Sequence, residues 1–189
     1  MLHSTIRKDN SLPFEPYTFS FFYHNFLQVL YASESKEVWG QIIKFKIVKK
    51  LKHLHHIQLE NFTTESGYFY PEFALSYELF GQVLGASPVV LVNHALTGNS
   101  NVAGDNGWWN SLIGLGRLID TSKYTVVAFN IPGNGYDEIE ANKIDNYEDF
   151  TARDIARLFG IGLEKIGVSQ LYAAIGGSLG GGIAWEMAV

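Results

Sequence analysis

The 189-residue chain has no cysteine, which excludes disulfides, thiolate metal sites and cysteine nucleophiles at once. It can therefore work in a reducing compartment without redox liability. No apolar run reaches the roughly 18 residues of a membrane-spanning helix; the richest, FSFFYHNFLQVLYA, carries His24 and Asn25. That run is also a poor export signal, because Glu15 precedes it and no clean small-residue cleavage site follows. With no address of this kind, the expected location is the cytoplasm, away from any membrane. Charge is sparse as well, with 17% Asp, Glu, Lys and Arg and a net charge of -5. Acids interleave with the bases, so no nucleic-acid partner is expected.

What is present is core-forming material: 47% hydrophobic and 14% aromatic residues, the composition of a globular chain. The charge is unevenly spread. Through His56 there are 8 Lys or Arg against 4 Asp or Glu, and from Ile57 onward 6 against 15. Two segments follow: an N-terminal extension of unknown structure over 1–56, and a domain portion over 57–189. HLHH at 53–56 reads as a solvated polar turn, since near-consecutive histidines rarely supply ligand geometry, and no metal site is expected.

From Ile57 two β-rich stretches flank a turn, with Phe73, Leu75, Tyr77 and Leu79 alternating against polar neighbours. PVVLVNHAL and YTVVAFNIPG are continuous apolar runs closed by Gly or Pro signals, as expected of strands buried on both faces. Between them, GWWNSLIGLGRLID has apolar residues at helical spacing and predicts a helix, although glycines interrupt it. NYEDFTARDIARLFGIGLEKIG places Phe150, Ile155, Leu158 and Phe159 on one helix face, with Lys165 near a glycine-marked end. LYAAIGGS reads as a third buried strand and GGGIAWEMAV as the start of a helix. The alternation predicts an α/β fold: a doubly wound, mostly parallel sheet with a β hairpin in front, whose functional groups gather at the carboxyl ends of the buried strands.

Three segments end at that edge: NHALTG, NIPGNG and GGSLGG. The last fits Gly-x-Ser-x-Gly with Gly176, Ser178 and Gly180 in a strand-turn-helix context, the pattern of a nucleophile elbow. Small neighbours at Gly176, Gly177 and Gly180 let the helix pass close to the strand. A glycine-rich phosphate loop is the competing reading, but the turn follows a third strand rather than a first, and no Walker lysine follows it. The anion formed when Ser178 attacks a carbonyl needs two donors. The backbone N–H of Leu179 and one from Ala95-Leu96-Thr97 are the candidates. His94 precedes the serine and reads as a residue that fixes this loop by hydrogen bonding, not as the base.

NHALTGNSNVAGDNGWWNSLIGLGRLIDTSKYTVVAFNIPG, FTARD and AIGGSLGG together resemble the homoserine O-acetyltransferase branch of the α/β-hydrolase superfamily, from about Gln58 to Val189. The resemblance implies an α/β-hydrolase fold in which acetyl-CoA, as substrate rather than bound cofactor, acetylates Ser178. Homoserine then accepts the acetyl group on the route to methionine, with the amides of Leu96 and Leu179 as oxyanion hole. NIPGNGYDEIEANK departs from the glycine-rich stretch of better-known members. Family members also continue past the elbow with an acid and a base histidine, so this chain reads as truncated after the elbow, inactive alone and poorly soluble. A serine ester hydrolase, or a non-catalytic fragment completed by a C-terminal chain or a homodimer, are the other readings.

Overall fold

A computed structural model describes residues 53–144 and 146–189. Of the expected extension over 1–56, residues 1–52 lie outside them. Among the described residues seven strands and two α-helices follow in order: β1 Leu54–Thr63, β2 Phe69–Gly81, β3 Val89–Asn93, β4 Ile113–Gly114, β5 Ile119–Asp120, β6 Thr125–Phe129, α1 Ala152–Lys165, β7 Ala173–Gly176 and α2 Leu179–Glu186. The strand β1 begins at Leu54, so most of HLHH is strand rather than the polar turn expected. Its neighbours His55 and His56 alternate across the pleat and cannot converge on one ion.

The main sheet has the order β1-β2-β6-β3-β7. The hairpin β1-β2 and the pair β2-β6 are antiparallel, while β6-β3 and β3-β7 are parallel. Every residue of β3 and β6 is buried, as their uninterrupted apolar sequences predict. On one face Leu75, Leu91, Val127 and Phe129 pack against Ile155, Leu158 and Phe159 of α1 and Ile183 of α2. Three of the four residues expected on one helix face, Ile155, Leu158 and Phe159, thus face the core, while Phe150 lies before the Thr151 N-cap and outside α1; Phe129 stacks on Phe159 with ring centroids 5.0 Å apart. Among the described residues β7 is an edge strand and only half-buried, where the sequence reads as a buried one.

The opposite face departs from expectation. GWWNSLIGLGRLID is not a helix but a run of turns closed by the two-residue ladder of β4 and β5. Its apolar residues still do a helix's work: Trp109, Leu112, Ile113 and Ile119, with Val102 and Ala103 just before the segment, pack with Val90, Val92, Val126 and Ala128. Glycine decides the outcome. A Cβ on Gly107 would collide with the Ala103 backbone, and Gly116 has φ +68, a region open to glycine at little cost. Both faces of the sheet are thus covered, one by helices and one by turns. Among the described residues no helix is long and apolar enough to cross a membrane.

The start of α1 ties the hairpin to the sheet's functional edge. Thr151 is the N-cap, and its hydroxyl and the Asp154 carboxylate form a reciprocal capping box. Asp154 is fully buried and also accepts the backbone N–H of Glu65 at 3.0 Å and an Arg157 donor at 3.2 Å. Asp154→Ala strands these donors around a buried site and is expected to destabilise the fold by about 3 kcal/mol, read as a lower urea midpoint with an unchanged slope.

Candidate active site

The residue Ser178 lies between β7 and α2 with φ 54 and ψ -124, a conformation that costs a non-glycine residue on the order of 1–3 kcal/mol. It is exposed, and its side chain caps nothing. Such a backbone sets the residue at the solvent-facing end of the sheet. The strain is held in place by lack of space. A Cβ on Gly180 would lie 2.7 Å from the His94 carbonyl oxygen and closer still to that of Asn93; a Cβ on Gly176 would meet the Gly180 carbonyl and lie 2.9 Å from the Asn93 oxygen. The first turn of α2 therefore rests on the backbone at the end of β3. The third expected glycine is different: a Cβ on Gly177 meets nothing within 4 Å. Only Gly176 and Gly180 are required by packing.

Leu179 is the first residue of α2, so its N–H has no acceptor within the helix. Leu96 follows β3 in the loop 94–98, and among the described residues no hydrogen bond takes up its N–H. Both residues line one cavity of about 300 Å³, with Ile131, Pro132, Phe150 and Ile155 as further apolar wall. Asn134, Tyr147 and Glu148 are the lining residues with polar side-chain groups. Phe150 is held from behind by Phe62, Tyr70 and Phe73, with ring centroids 5.1 to 6.3 Å apart, which connects the hairpin to the cavity wall. Gly133, at φ +85, packs its backbone against Tyr147.

The loops that carry the wall are fixed by buried polar contacts. His94 is fully buried. Ile131 donates its backbone N–H to His94 Nε2 at 3.0 Å, so Nε2 is unprotonated, and Nδ1–H donates to the Ala95 carbonyl at 2.6 Å. The ring thus joins the loop of Leu96 to the loop of Ile131, in the role its sequence position predicts. Burial lowers its pKa, opposed by the bond to Ala95. A second anchor was not legible in sequence. Ser100 donates its N–H to Asn130 Oδ1 at 2.8 Å and its hydroxyl to Glu78 at 2.6 Å, while Asn130 Nδ2 donates to Ser76 at 2.9 Å. Serine and glutamate on β2 look like solvent-facing partners of the alternating apolar residues, yet Ser76 and Glu78 are buried. Tyr136, beside this cluster, is pushed up to about 12 by burial, then by the charges of Glu78 and Glu138. At the end of β3 the Asn93 amide is fully buried with neither polar atom hydrogen-bonded among the described residues.

Two predictions follow from this geometry. Gly180→Ala is expected to cost at least about 3 kcal/mol, because the clash is with backbone, whereas Gly177→Ala folds as the native chain does; thermal melting of both variants checks this. The second concerns pH. The unfolded His94 binds a proton near pH 6.5 and the folded one resists it, so the unfolded state binds more protons below that value. The stabilisation is full above pH 6.5 and is lost as pH falls through the lowered folded-state value, with a slope of at most about 1.4 kcal/mol per pH unit. Urea unfolding at several pH values should show this slope in the native chain and its loss in His94→Gln.

Comparison with known proteins agrees with this architecture. A family model for the alpha/beta hydrolase fold matches residues 88–189. The chain is 37% identical over 134 residues to the homoserine O-acetyltransferase of Moorella thermoacetica, a match covering 62% of this chain and 36% of that enzyme. It is 33% identical over 141 residues to the homoserine O-acetyltransferase of Geotalea uraniireducens, covering 66% and 38%. The chain thus spans 36% to 38% of the length of these curated relatives. Among solved structures, homoserine O-acetyltransferase from Staphylococcus aureus superposes with a TM-score of 0.61 at 32% identity, over 71% of this chain and 41% of that one. Esterase E22 superposes with a TM-score of 0.58 at 28% identity, over 67% and 41%. With the elbow at Ser178 and the parallel strands that carry it, the chain belongs to the alpha/beta hydrolase fold family.

Proposed function

We propose that the protein is an O-acyltransferase that moves an acetyl group from acetyl-CoA to the hydroxyl of homoserine through an acyl-serine intermediate, in methionine biosynthesis in the cytoplasm. The observation that carries this reading is the strained, exposed Ser178 immediately before Leu179, a residue that lines one mostly apolar cavity together with Leu96. The similarity to homoserine O-acetyltransferases supports the choice of acyl donor and acceptor.

In the first step Ser178 Oγ attacks the thioester carbonyl, and the two amides receive the developing oxyanion. The carbon–sulfur bond breaks and the thiol of CoA leaves with a proton. In the second step the homoserine hydroxyl attacks the acyl-serine, and Ser178 Oγ leaves and regains its proton. The apolar wall favours transfer over hydrolysis by limiting water. This chemistry needs no metal and no bound cofactor.

A general base must take the serine proton. His94 is occupied at both ring nitrogens. His55 and His56 lie on β1, four strand positions from β7, or about 19 Å at the usual strand spacing. None of these three histidines can serve as the base, so this reading looks for it elsewhere: in other residues of this chain, in a complementing chain or in a second copy. The similarity to esterase E22 favours a second reading, in which water replaces homoserine.

Intact-mass measurement after incubation with acetyl-CoA tests the proposal. The expected result is a single acetyl group, gained only slowly by the chain alone because the base is missing and faster once a complementing chain supplies it, absent from Ser178→Ala and discharged faster when homoserine is added. Discharge at one rate with or without homoserine would make the protein an esterase, and no adduct dependent on Ser178 would remove the acyl-serine mechanism.

A further inference from the structure

The cavity beside the elbow has a one-sided electrostatic character. Of its lining residues none is Lys, Arg or His, and the one ionisable acid is Glu148. That carboxylate is exposed, which puts it where the cavity meets solvent, and it enters no ion pair among the described residues. The cations closest to it in sequence are engaged elsewhere: Lys143 with Glu140, and Arg153 with Glu65 and Glu186. Asn134, the remaining polar side chain apart from Tyr147, spends its amide within its own loop, donating to Asn130 and accepting from the Tyr136 N–H. Among the described residues no side chain of the wall carries a positive charge to neutralise an anion.

We infer that the site selects neutral acyl groups and rejects acyl donors ending in a carboxylate, with Glu148 as the residue that enforces the rejection. The inference rests on the acyl-Ser178 reading. An acyl carbonyl held by the Leu96 and Leu179 amides lies against the two residues that line this cavity, so its chain enters the apolar wall. A terminal methyl there is desolvated at no cost. A terminal carboxylate loses hydration without a counter-charge and meets a second carboxylate at close range. Exclusion by a like charge is a recognised route to specificity, since it acts on the wrong substrate alone. Butyryl and succinyl groups isolate the effect, because they have the same chain length and differ by methyl against carboxylate at the end.

The test uses p-nitrophenyl butyrate and the mono-p-nitrophenyl ester of succinic acid. Each acylates Ser178 Oγ with loss of p-nitrophenolate, the serine proton passing to the medium. Rates of adduct formation are read by intact mass, corrected for the spontaneous hydrolysis of each ester and compared with Ser178→Ala. The native chain is expected to form the butyryl adduct about tenfold faster than the succinyl adduct. Glu148→Arg is expected to bring the two within about twofold, and Glu148→Gln to fall between. Circular dichroism confirms that these exposed-site variants are folded. Equal rates on the native chain, or a ratio that Glu148→Arg leaves unchanged, would overturn the inference while leaving Ser178 as nucleophile. Absence of both adducts above the Ser178→Ala background would overturn the acyl-serine reading and the inference together.

Discussion

The structure depends on one close approach: the first turn of α2 lies on the carbonyl oxygens of Asn93 and His94, with no room for a side-chain carbon at Gly176 or Gly180. That contact fixes where the helix starts relative to the central strand. It also leaves Ser178 no relaxed conformation, so a serine stands at φ 54. The cost of the strain, of order 1–3 kcal/mol, is borne by the core that both elements share, where Leu91 of β3 and Ile183 of α2 are fully buried. Strain of this kind is a means of presentation. The hydroxyl is held out by packing on either side, not by bonds of its own.

A hydroxyl held this way can serve as the proposed nucleophile only if the groups around it are equally fixed. The loop of Leu96 has no secondary structure, and its order comes from polar contacts that are buried and therefore strong. The neutral His94 ring bonds Ala95 on one side and Ile131 on the other. The Ser100, Asn130 and Glu78 cluster holds the same loop farther along. Donors fixed before the reaction need not reorganise as charge develops, which is the source of their catalytic value. At the same edge the Asn93 amide is buried with no hydrogen-bond partner among the described residues, a polar cost placed beside the proposed site.

Much of this was legible from sequence because the relevant signals are local. Continuous apolar runs identified β3 and β6, helical spacing identified α1, and the elbow was readable because its steric demand falls on residues within two positions of Ser178. The segment 107–120 was misread for a physical reason: its apolar residues must cover one sheet face, and helical spacing is one of two ways to do so. The glycines at 107 and 116 select the other. Gly177 was over-read, since proximity to the serine does not imply contact. The Ser76, Glu78, Ser100 and Asn130 cluster was invisible, because its members are 22 to 54 residues apart along its hydrogen bonds and each alone looks like a surface residue. The acid at Glu148 gained meaning only when the cavity showed no cation to balance it.

The central claim is that Ser178 and the amides of Leu96 and Leu179 form one preorganised acyl-transfer site. Nitrogen-15 NMR of the chain before and after phosphonylation of Ser178 tests it most directly, because a phosphonate oxygen occupies the place of the oxyanion. The account predicts large downfield amide-proton shifts at Leu96 and Leu179, with the His94-bonded amide of Ile131 nearly unmoved. A phosphonylated Ser178 with both leucine amides unchanged would contradict it.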